Sequence, residues 1–182
     1  MRAVFFDRDG TLMEEVNYCS DPARVRVFAG VPAALTRLKR AGFGVLVVSN
    51  QSGIGRGLMT DEQYHAVQAE FLRQLGPGLV DASYYCPDAP GAPSVCRKPE
   101  PGMVLRAVAE HGIDVAESFF VGDREADVEC GRRAGTRTIL VRTGYGAEQT
   151  CTADWVCADA VEAVEIILGS RRDDAEARGT PA

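Results

Sequence analysis

The stretch Val4–Thr11 reads VFFDRDGT, and Phe43–Ser52 reads FGVLVVSNQS. Each begins as an apolar run of the kind that forms a strand buried on both faces, and each stops at polar residues. Between the two runs, Pro32 can open a helix and Gly42 can end it. Because strand, helix and strand follow one another, these segments predict a parallel sheet with right-handed crossovers.

The same alternation continues along the chain. Thr60 and Gln63 form a capping-box pattern at the start of the next helix. The later strands are predicted at 82–85, 119–121 and 138–141, and the later helices at about 102–111, 126–134 and 158–168. The fold class is therefore a doubly wound parallel α/β sheet, Rossmann-like, with residues 1–168 as a single domain. The polar residues 169–182 are expected to form a disordered tail.

The composition excludes several classes of protein. The chain has 182 residues, 46% of them hydrophobic and 25% charged, and its net charge is −6. This balance argues against a general basic surface for nucleic acid, and no apolar run is long enough to span a membrane. Only four apolar residues precede Asp7, so we expect no secretory signal and a cytoplasmic, monomeric protein. The six cysteines are scattered along the chain and are expected to be reduced thiols.

Reactive side chains follow the predicted strands where each strand ends. Asp7 and Asp9 follow the first strand, Ser49 ends the second, and Asp123 follows the fourth. Lys98 precedes the helix that follows the third strand. Since ligands of open α/β sheets bind beyond the carboxyl ends of the strands, these side chains mark the candidate site.

Four short motifs resemble those of the haloacid dehalogenase superfamily of phosphatases, in the same order. They are DxDGT at 7–11, Ser49, Lys98 and GDxxxD at 122–127. The longer strings DRDGT, SNQSGIGRG, CRKPEPGM and VGDREAD resemble the D-glycero-D-manno-heptose 1,7-bisphosphate phosphatases more closely than the related histidinol-phosphate phosphatases. The segments 11–32 and 86–97 have no room for a large cap domain, so short loops must provide specificity.

The resemblance implies a phosphatase that forms an aspartyl-phosphate on Asp7, with Asp9 as general acid and base. It also implies one Mg²⁺, a cation that prefers hard oxygen ligands. The assigned residues are Asp7, Asp9, Ser49 and Lys98 as catalytic groups, Asp7, Asp123 and the backbone carbonyl of Asp9 as metal ligands, and Asp127 as a partner of Lys98 or of a metal-bound water.

The substrate implied by the resemblance is a small sugar phosphate, the 7-phosphate of D-glycero-D-manno-heptose 1,7-bisphosphate. The alternatives are histidinol phosphate and, in another class, a phosphate-binding regulatory module without turnover. Because Mg²⁺ and Lys98 are already matched by the aspartates, arginines are expected to hold the substrate. Arg56 is assigned equally to a solvated loop and to substrate contact. The predicted substrate-binding residues are Arg8, Glu15, Asn17, Tyr18, Asn50, Gln51, Ser52, Arg97 and Arg124.

One loop departs from the heptose-bisphosphate phosphatase pattern. That pattern carries a zinc site of the form Cys-x-His followed by Cys-x-Cys, whereas the matching positions here are Cys86, Asp88, Ser94 and Cys96. Structural zinc normally takes four nitrogen or sulfur ligands, and only two thiols remain. We therefore expect at most substoichiometric zinc, with Cys86 and Cys96 as free thiols.

Overall fold

The computed structural model describes residues 1–178, with side chains described for residues 1–170. Its centre is one parallel sheet in the order β3-β2-β1-β4-β5-β6. The strands are β1 Ala3–Phe6, β2 Gly44–Asn50, β3 Ala82–Cys86, β4 Phe119–Gly122, β5 Arg137–Val141 and β6 Trp155–Cys157. The doubly wound α/β class predicted from the sequence is confirmed.

Helices cover both faces of this sheet. They are α1 Val31–Arg40, α2 Ser52–Gly55, α3 Asp61–Leu75, α4 Gly102–His111, α5 Glu125–Ala134 and α6 Ala160–Arg178. Thr60 and Gln63 form the predicted capping box at the start of α3. Within the part of the chain that the structure describes, no helix combines the length and the apolar composition needed to cross a bilayer.

Successive residues of β1 point to opposite faces and so build two separate cores. Val4 and Phe6 belong to one cluster of buried side chains, together with residues from α1, α3 and α6. Ala3 and Phe5 belong to the other cluster, together with residues from α4 and α5. A strand buried on both faces has no polar position within its length, which is why the first polar residue, Asp7, marks its end.

The structure differs from the predicted elements in three places. β6 and the one-turn helix α2 were not predicted, and the last helix continues past Leu168 to Arg178. The segment predicted as a tail therefore begins inside this helix, because alanine, arginine and glutamate favour a helix and neither Gly nor Pro interrupts residues 170–178. The rest of the proposed tail, residues 179–182, lies outside the described residues.

The sheet order reverses between β1 and β4, which leaves a crevice beyond the ends of these strands. The amide of Asp7 donates to the carbonyl of Val121 at 2.9 Å and so extends the pairing of β1 with β4 to the rim of that crevice. The loop between β1 and α1 contains only the 3-10 turn Pro22–Arg24, and the loop between β3 and α4 contains no helix or strand. Short loops therefore enclose the crevice in place of a cap domain.

Candidate active site

A buried lysine connects two carboxylates at the floor of the crevice. The ammonium of Lys98 donates to Asp7 Oδ1 at 2.6 Å and to the carbonyl of Val48 at 2.8 Å, and it lies 2.6 Å from Asp127 Oδ1. Burial opposes this charge, but Asp127 and Asp7 together raise the pKa of Lys98. Lys98 is therefore a fixed positive charge beside the carboxylate that was predicted to be the nucleophile.

The side chain of Asn50 holds the backbone of Lys98. Its Oδ1 accepts from the amide of Lys98 at 3.0 Å, and its Nδ2 donates to the carbonyl of the same residue at 3.0 Å. Asn50 was predicted to bind substrate. The structure shows this amide orienting Lys98 from the cavity wall, and its contact with substrate stays a prediction.

Asp123 is held by one oxygen and leaves the other without a partner. Its Oδ2 accepts from the amide of Tyr145 at 2.7 Å, whereas Oδ1 has no hydrogen-bond partner among the described residues. The close approach depends on two glycines, since a Cβ on Gly10 or Gly144 would lie 2.4 Å or 2.2 Å from Asp123 Oδ2. Burial, followed by the neighbouring charge of Asp127, raises the pKa of Asp123 to about 7.

These carboxylates fit a hard divalent cation. Asp7, Asp123 and Asp127 each offer an oxygen, and the three oxygens lie within 4.8 Å of one another. Burial raises the pKa of Asp7; Lys98 opposes this effect, and Asp127 and Asp123 add to it. A hard divalent cation such as Mg²⁺ would satisfy both the unpartnered oxygen of Asp123 and the concentrated negative charge.

Asp9 lies beside this cluster and is held by three side chains. Arg8 donates to it from Nε at 3.0 Å and from Nη2 at 3.2 Å, Gln51 donates at 2.9 Å, and Ser49 Oγ lies 3.4 Å away. Arg8 is 1% exposed and also donates to Gln68. This guanidinium is therefore buried behind Asp9 and orients it, and the contact of Arg8 with substrate stays a prediction.

A cavity of about 300 Å³ opens in front of these groups. This volume is at the lower end of the range for small-molecule sites, which suits a sugar phosphate. Asn17 and Tyr18 form part of its wall in the left-handed backbone region, with φ of 32° and 58°. Two consecutive non-glycine residues there are costly, which is typical of a functional loop. The predicted residues in the lining are Asp7, Asp9, Glu15, Asn17, Tyr18, Ser49, Asn50, Gln51, Ser52, Arg97, Lys98, Arg124 and Asp127.

Three arginines line the same cavity, and only two of them were in the predicted set. Arg97 donates to the carbonyl of Asp88 at 3.1 Å. Arg124 lies 3.7 Å from a carboxylate oxygen of Glu15, and its guanidinium is 3.8 Å from the ring centroid of Tyr145. The third is Arg56, which the sequence left open.

Other contributions to the site were not predicted. Cys19, Pro90 and Ala126 line the cavity, and the amide of Tyr145 holds Asp123. The sequence Gly144-Tyr145-Gly146 after β5 could have indicated the contact with Asp123, because closely spaced glycines often mark a close approach of the backbone.

The loop that carries Arg97 and Lys98 contains a disulfide, which contradicts the prediction that its two cysteines are free thiols. Cys86 and Cys96 form a disulfide with their Cα atoms 5.7 Å apart, a usual separation for such a bond. They are therefore not free thiols, because the ends of this loop bring the two side chains together. Asp88 and Ser94 also contact these sulfurs, so the four positions of the absent zinc pattern do converge.

The chain is similar to known phosphatases over most of its length. Residues 95–163 match the family model described as HAD-hydrolase-like. A D-glycero-D-manno-heptose-1,7-bisphosphate 7-phosphatase from Chlorobaculum tepidum is 36% identical over 176 residues, with 88% of each chain covered. The D-glycero-beta-D-manno-heptose-1,7-bisphosphate 7-phosphatase of Escherichia coli K12 is 38% identical over 179 residues, covering 90% of this chain and 93% of that protein.

A solved structure is similar over nearly the whole fold. It is the D,D-heptose 1,7-bisphosphate phosphatase from B. bronchiseptica, complexed with magnesium and phosphate. The two structures superpose with a TM-score of 0.86 at 31% sequence identity, and the match covers 93% of this chain and 99% of the other.

Proposed function

This chain belongs to the family of the D-glycero-D-manno-heptose-1,7-bisphosphate 7-phosphatases, and we propose that it removes the 7-phosphate of such a bisphosphate through an aspartyl-phosphate on Asp7, with Mg²⁺. Membership makes it a phosphoric monoester hydrolase of the haloacid dehalogenase type. The observation that carries the rest of the proposal is the buried group formed by Asp7, Lys98 and Asp123 at the base of a cavity of sugar-phosphate size.

In the first step, a carboxylate oxygen of Asp7 attacks phosphorus, and the bond from phosphorus to the sugar oxygen breaks. Lys98 offsets the repulsion between this carboxylate and the phosphate dianion, since its ammonium already contacts Asp7 Oδ1. Asp9 supplies a proton to the leaving sugar oxygen, which would otherwise depart as a poor alkoxide leaving group.

In the second step, Asp9 takes a proton from water, and the water oxygen attacks phosphorus. The bond between phosphorus and Asp7 breaks, which regenerates the carboxylate and releases inorganic phosphate. Ser49 is positioned beside Asp9 to donate to the transferring group, and Gln51 and Arg8 keep the Asp9 carboxylate oriented.

Asp7, Asp123 and the backbone carbonyl of Asp9 are the proposed Mg²⁺ ligands, and the cation supplies positive charge to the oxygens of the transferring phosphate. Asp127 pairs with Lys98 and accepts from the amide of Arg124 at 3.0 Å. It therefore helps to hold the Lys98 ammonium in place and adds to the charge that would attract the cation.

The experiment is a hydrolysis panel with purified protein and Mg²⁺, read by phosphate release and by ³¹P NMR. With D-glycero-D-manno-heptose 1,7-bisphosphate, the 7-phosphate resonance should disappear while the 1-phosphate remains. EDTA should stop the reaction. Faster hydrolysis of histidinol phosphate, or loss of the 1-phosphate first, would reject the proposed substrate, and no turnover of any phosphate ester would favour the regulatory alternative.

A further inference from the structure

The helix α3 carries an amide side chain on its buried face, among large apolar and aromatic ones. The buried side chains of α3 are Tyr64, Val67, Gln68, Phe71 and Leu75, and Gln68 alone among these five ends in an amide. A buried amide needs hydrogen-bond partners, whereas an aliphatic side chain would pack there without that requirement. The partners of Gln68 therefore indicate its role.

Both ends of the Gln68 amide have a partner. Its Oε1 accepts from Nη1 of Arg8 at 3.1 Å, and its Nε2 donates to Oγ of Ser83, in β3, at 3.1 Å. A guanidinium can only donate, so an oxygen is the atom that Arg8 requires at this position. The bond to Ser83 holds the amide in the orientation that presents its oxygen to Arg8.

Tyr64 lies one turn before Gln68 on the same face of α3 and also contacts Arg8. The guanidinium carbon of Arg8 is 5.4 Å from the ring centroid of Tyr64. The Tyr64 ring is stacked on that of Tyr85, with the centroids 4.0 Å apart. One turn of α3 therefore contacts the guanidinium both on its face and at its edge.

The guanidinium held in this way contacts both carboxylate oxygens of Asp9. Arg8 Nε donates to Oδ2 at 3.0 Å, and Nη2 donates to Oδ1 at 3.2 Å. Such a paired contact fixes the plane of the carboxylate as well as its distance. Without the Gln68 oxygen, Nη1 would be a donor without a partner on a side chain that is 1% exposed. The guanidinium would then turn to satisfy it, and Asp9 would lose its fixed orientation.

We infer that Gln68 is a positioning residue of the reaction, which holds the carboxylate of Asp9, through Arg8, in the orientation that protonates the leaving oxygen. The inference rests on the proposed function, since Asp9 is the general acid there. Gln68 is not among the described residues that line the cavity, so its effect passes through Arg8. A general acid that loses its orientation costs most when the leaving group needs a proton.

The test compares the heptose 1,7-bisphosphate, which has an alkoxide leaving group, with p-nitrophenyl phosphate, which has a leaving group that needs no proton. The measured quantity is kcat/KM, because it reports the steps up to formation of the aspartyl-phosphate and not its later hydrolysis. Gln68→Met keeps the length of the side chain and removes its oxygen. It should lower kcat/KM at least about tenfold for the bisphosphate and less than about threefold for the aryl phosphate.

Ser83→Ala removes only the group that orients the amide, so it should change the same two values in the same direction by a smaller factor. The matched control is Gln74→Met, which removes an amide of the same helix that contacts the backbone of Val25 and Val27 instead. It should leave the ratio of the two kcat/KM values unchanged. Equal losses on both substrates in Gln68→Met, or no loss on the bisphosphate, would overturn the inference.

A second measurement does not depend on turnover. The Nε–H signal of Arg8 in ¹⁵N NMR spectra, identified by its absence from Arg8→Lys, should exchange slowly with water while Arg8 holds Asp9. Gln68→Met should speed this exchange at least about tenfold, and Gln74→Met should not change it. If the wild type hydrolyses neither substrate, faster exchange in Gln68→Met would keep the role of Gln68 in holding Asp9 while the proposed function fails. Unchanged exchange would reject the inference itself.

Discussion

At the scale of single residues, the cavity floor carries more negative charge than the surrounding side chains neutralise. Lys98 pairs with Asp7 and Asp127, whereas Asp123 accepts a single hydrogen bond among the described residues, from the amide of Tyr145. Burying a carboxylate with one unpartnered oxygen is costly in the absence of a cation. A divalent cation bound at this site would therefore offset a cost that the fold carries without it.

The first prediction concerns this cost. The pKa of Asp123 is raised by burial from 3.8 to about 7 in the fold, so between these values the unfolded chain releases a proton that the folded chain keeps. The free energy of unfolding in EDTA should therefore fall as pH rises from about 4 to 7 and then level off. Denaturant unfolding across this range measures the slope, which Asp123→Asn should reduce.

Mg²⁺ at pH 7 should restore the stability that is lost, because it binds the ionised carboxylates of the folded protein alone. Asp114→Asn, at an exposed aspartate of the turn Val115–Glu117, is the matched control and should keep both the pH slope and the response to Mg²⁺. A pH slope that is the same in Asp123→Asn as in the wild type would assign the effect to other groups.

Residue identity and strand position were enough to predict which side chains converge. Asp7, Asp9 and Asp123 lie together because buried strands end where the first polar residue occurs. The directions of neighbouring side chains could not be predicted in this way. Arg8 is adjacent to two site residues in sequence, yet its side chain points into the interior, where Gln68 from a distant helix accepts from it.

At the scale of elements, the loop after β5 completes the site by bringing its backbone against Asp123. Gly144 has φ of 55°, and a Cβ there would lie 2.2 Å from Asp123 Oδ2 and 2.6 Å from the Cα of Gly10. A Cβ on Gly144 would be crowded by the backbone of Gly10 on one side and by the carboxylate of Asp123 on the other. Neither neighbour can move without disturbing the floor of the cavity.

Gly144→Ala should therefore abolish most of the phosphatase activity and weaken Mg²⁺ binding. Gly78→Ala is the matched control, since Gly78 also has a positive φ, 73°, but nothing lies within 4 Å of its added Cβ. The left-handed backbone should cost each variant about 1 kcal/mol of stability, the crowding should add to that cost in Gly144→Ala alone, and only this variant should lose turnover. Equal activity of the two variants at saturating Mg²⁺ would show that the close approach is not required.

Helices were predicted correctly from the sequence where the apolar pattern extends over several turns. The elements that were missed are those in which the pattern extends over only a few residues. The helices α1, α3 and α4 have apolar spacing and clear end signals, and they occur where these signals indicate. β6 has only three residues, with Val156 exposed at the sheet edge, so neither length nor alternation identified it. Residues 169–178 are charged and helical, which composition alone does not separate from disorder.

At the scale of the whole molecule, short loops enclose the crevice, and one of these loops is closed by a covalent bond. The disulfide between Cys86 and Cys96 joins the end of β3 to the residue before Arg97. The sulfurs of Cys86 and Cys96 are therefore bonded to each other. The bond constrains the loop that presents Lys98, and substoichiometric zinc stays a prediction.

The corresponding prediction is that alkylation of the denatured protein without reductant labels four thiols, and with reductant all six. Cys96→Ser should give five without reductant, because Cys86 loses its partner, whereas Cys151→Ser should give three. Reduction should lower the free energy of unfolding by about 2 to 3 kcal/mol. Metal analysis should find substoichiometric zinc, and one zinc per chain with six alkylated thiols would contradict this account.

The central claim is that Asp7 is the group that accepts the phosphoryl group. The most direct measurement is the rate of phosphate release by Asp7→Asn, after circular dichroism and thermal unfolding have shown that the variant is folded. Folding should be preserved, because a neutral amide removes the repulsion between Asp7 and the carboxylates of Asp123 and Asp127.

The account predicts a loss of at least about a thousandfold in kcat, since an amide cannot form the acyl phosphate. The exposed-site variant Asp114→Asn should retain the wild-type rate. A folded Asp7→Asn protein that releases phosphate within about tenfold of the wild-type rate would contradict the account.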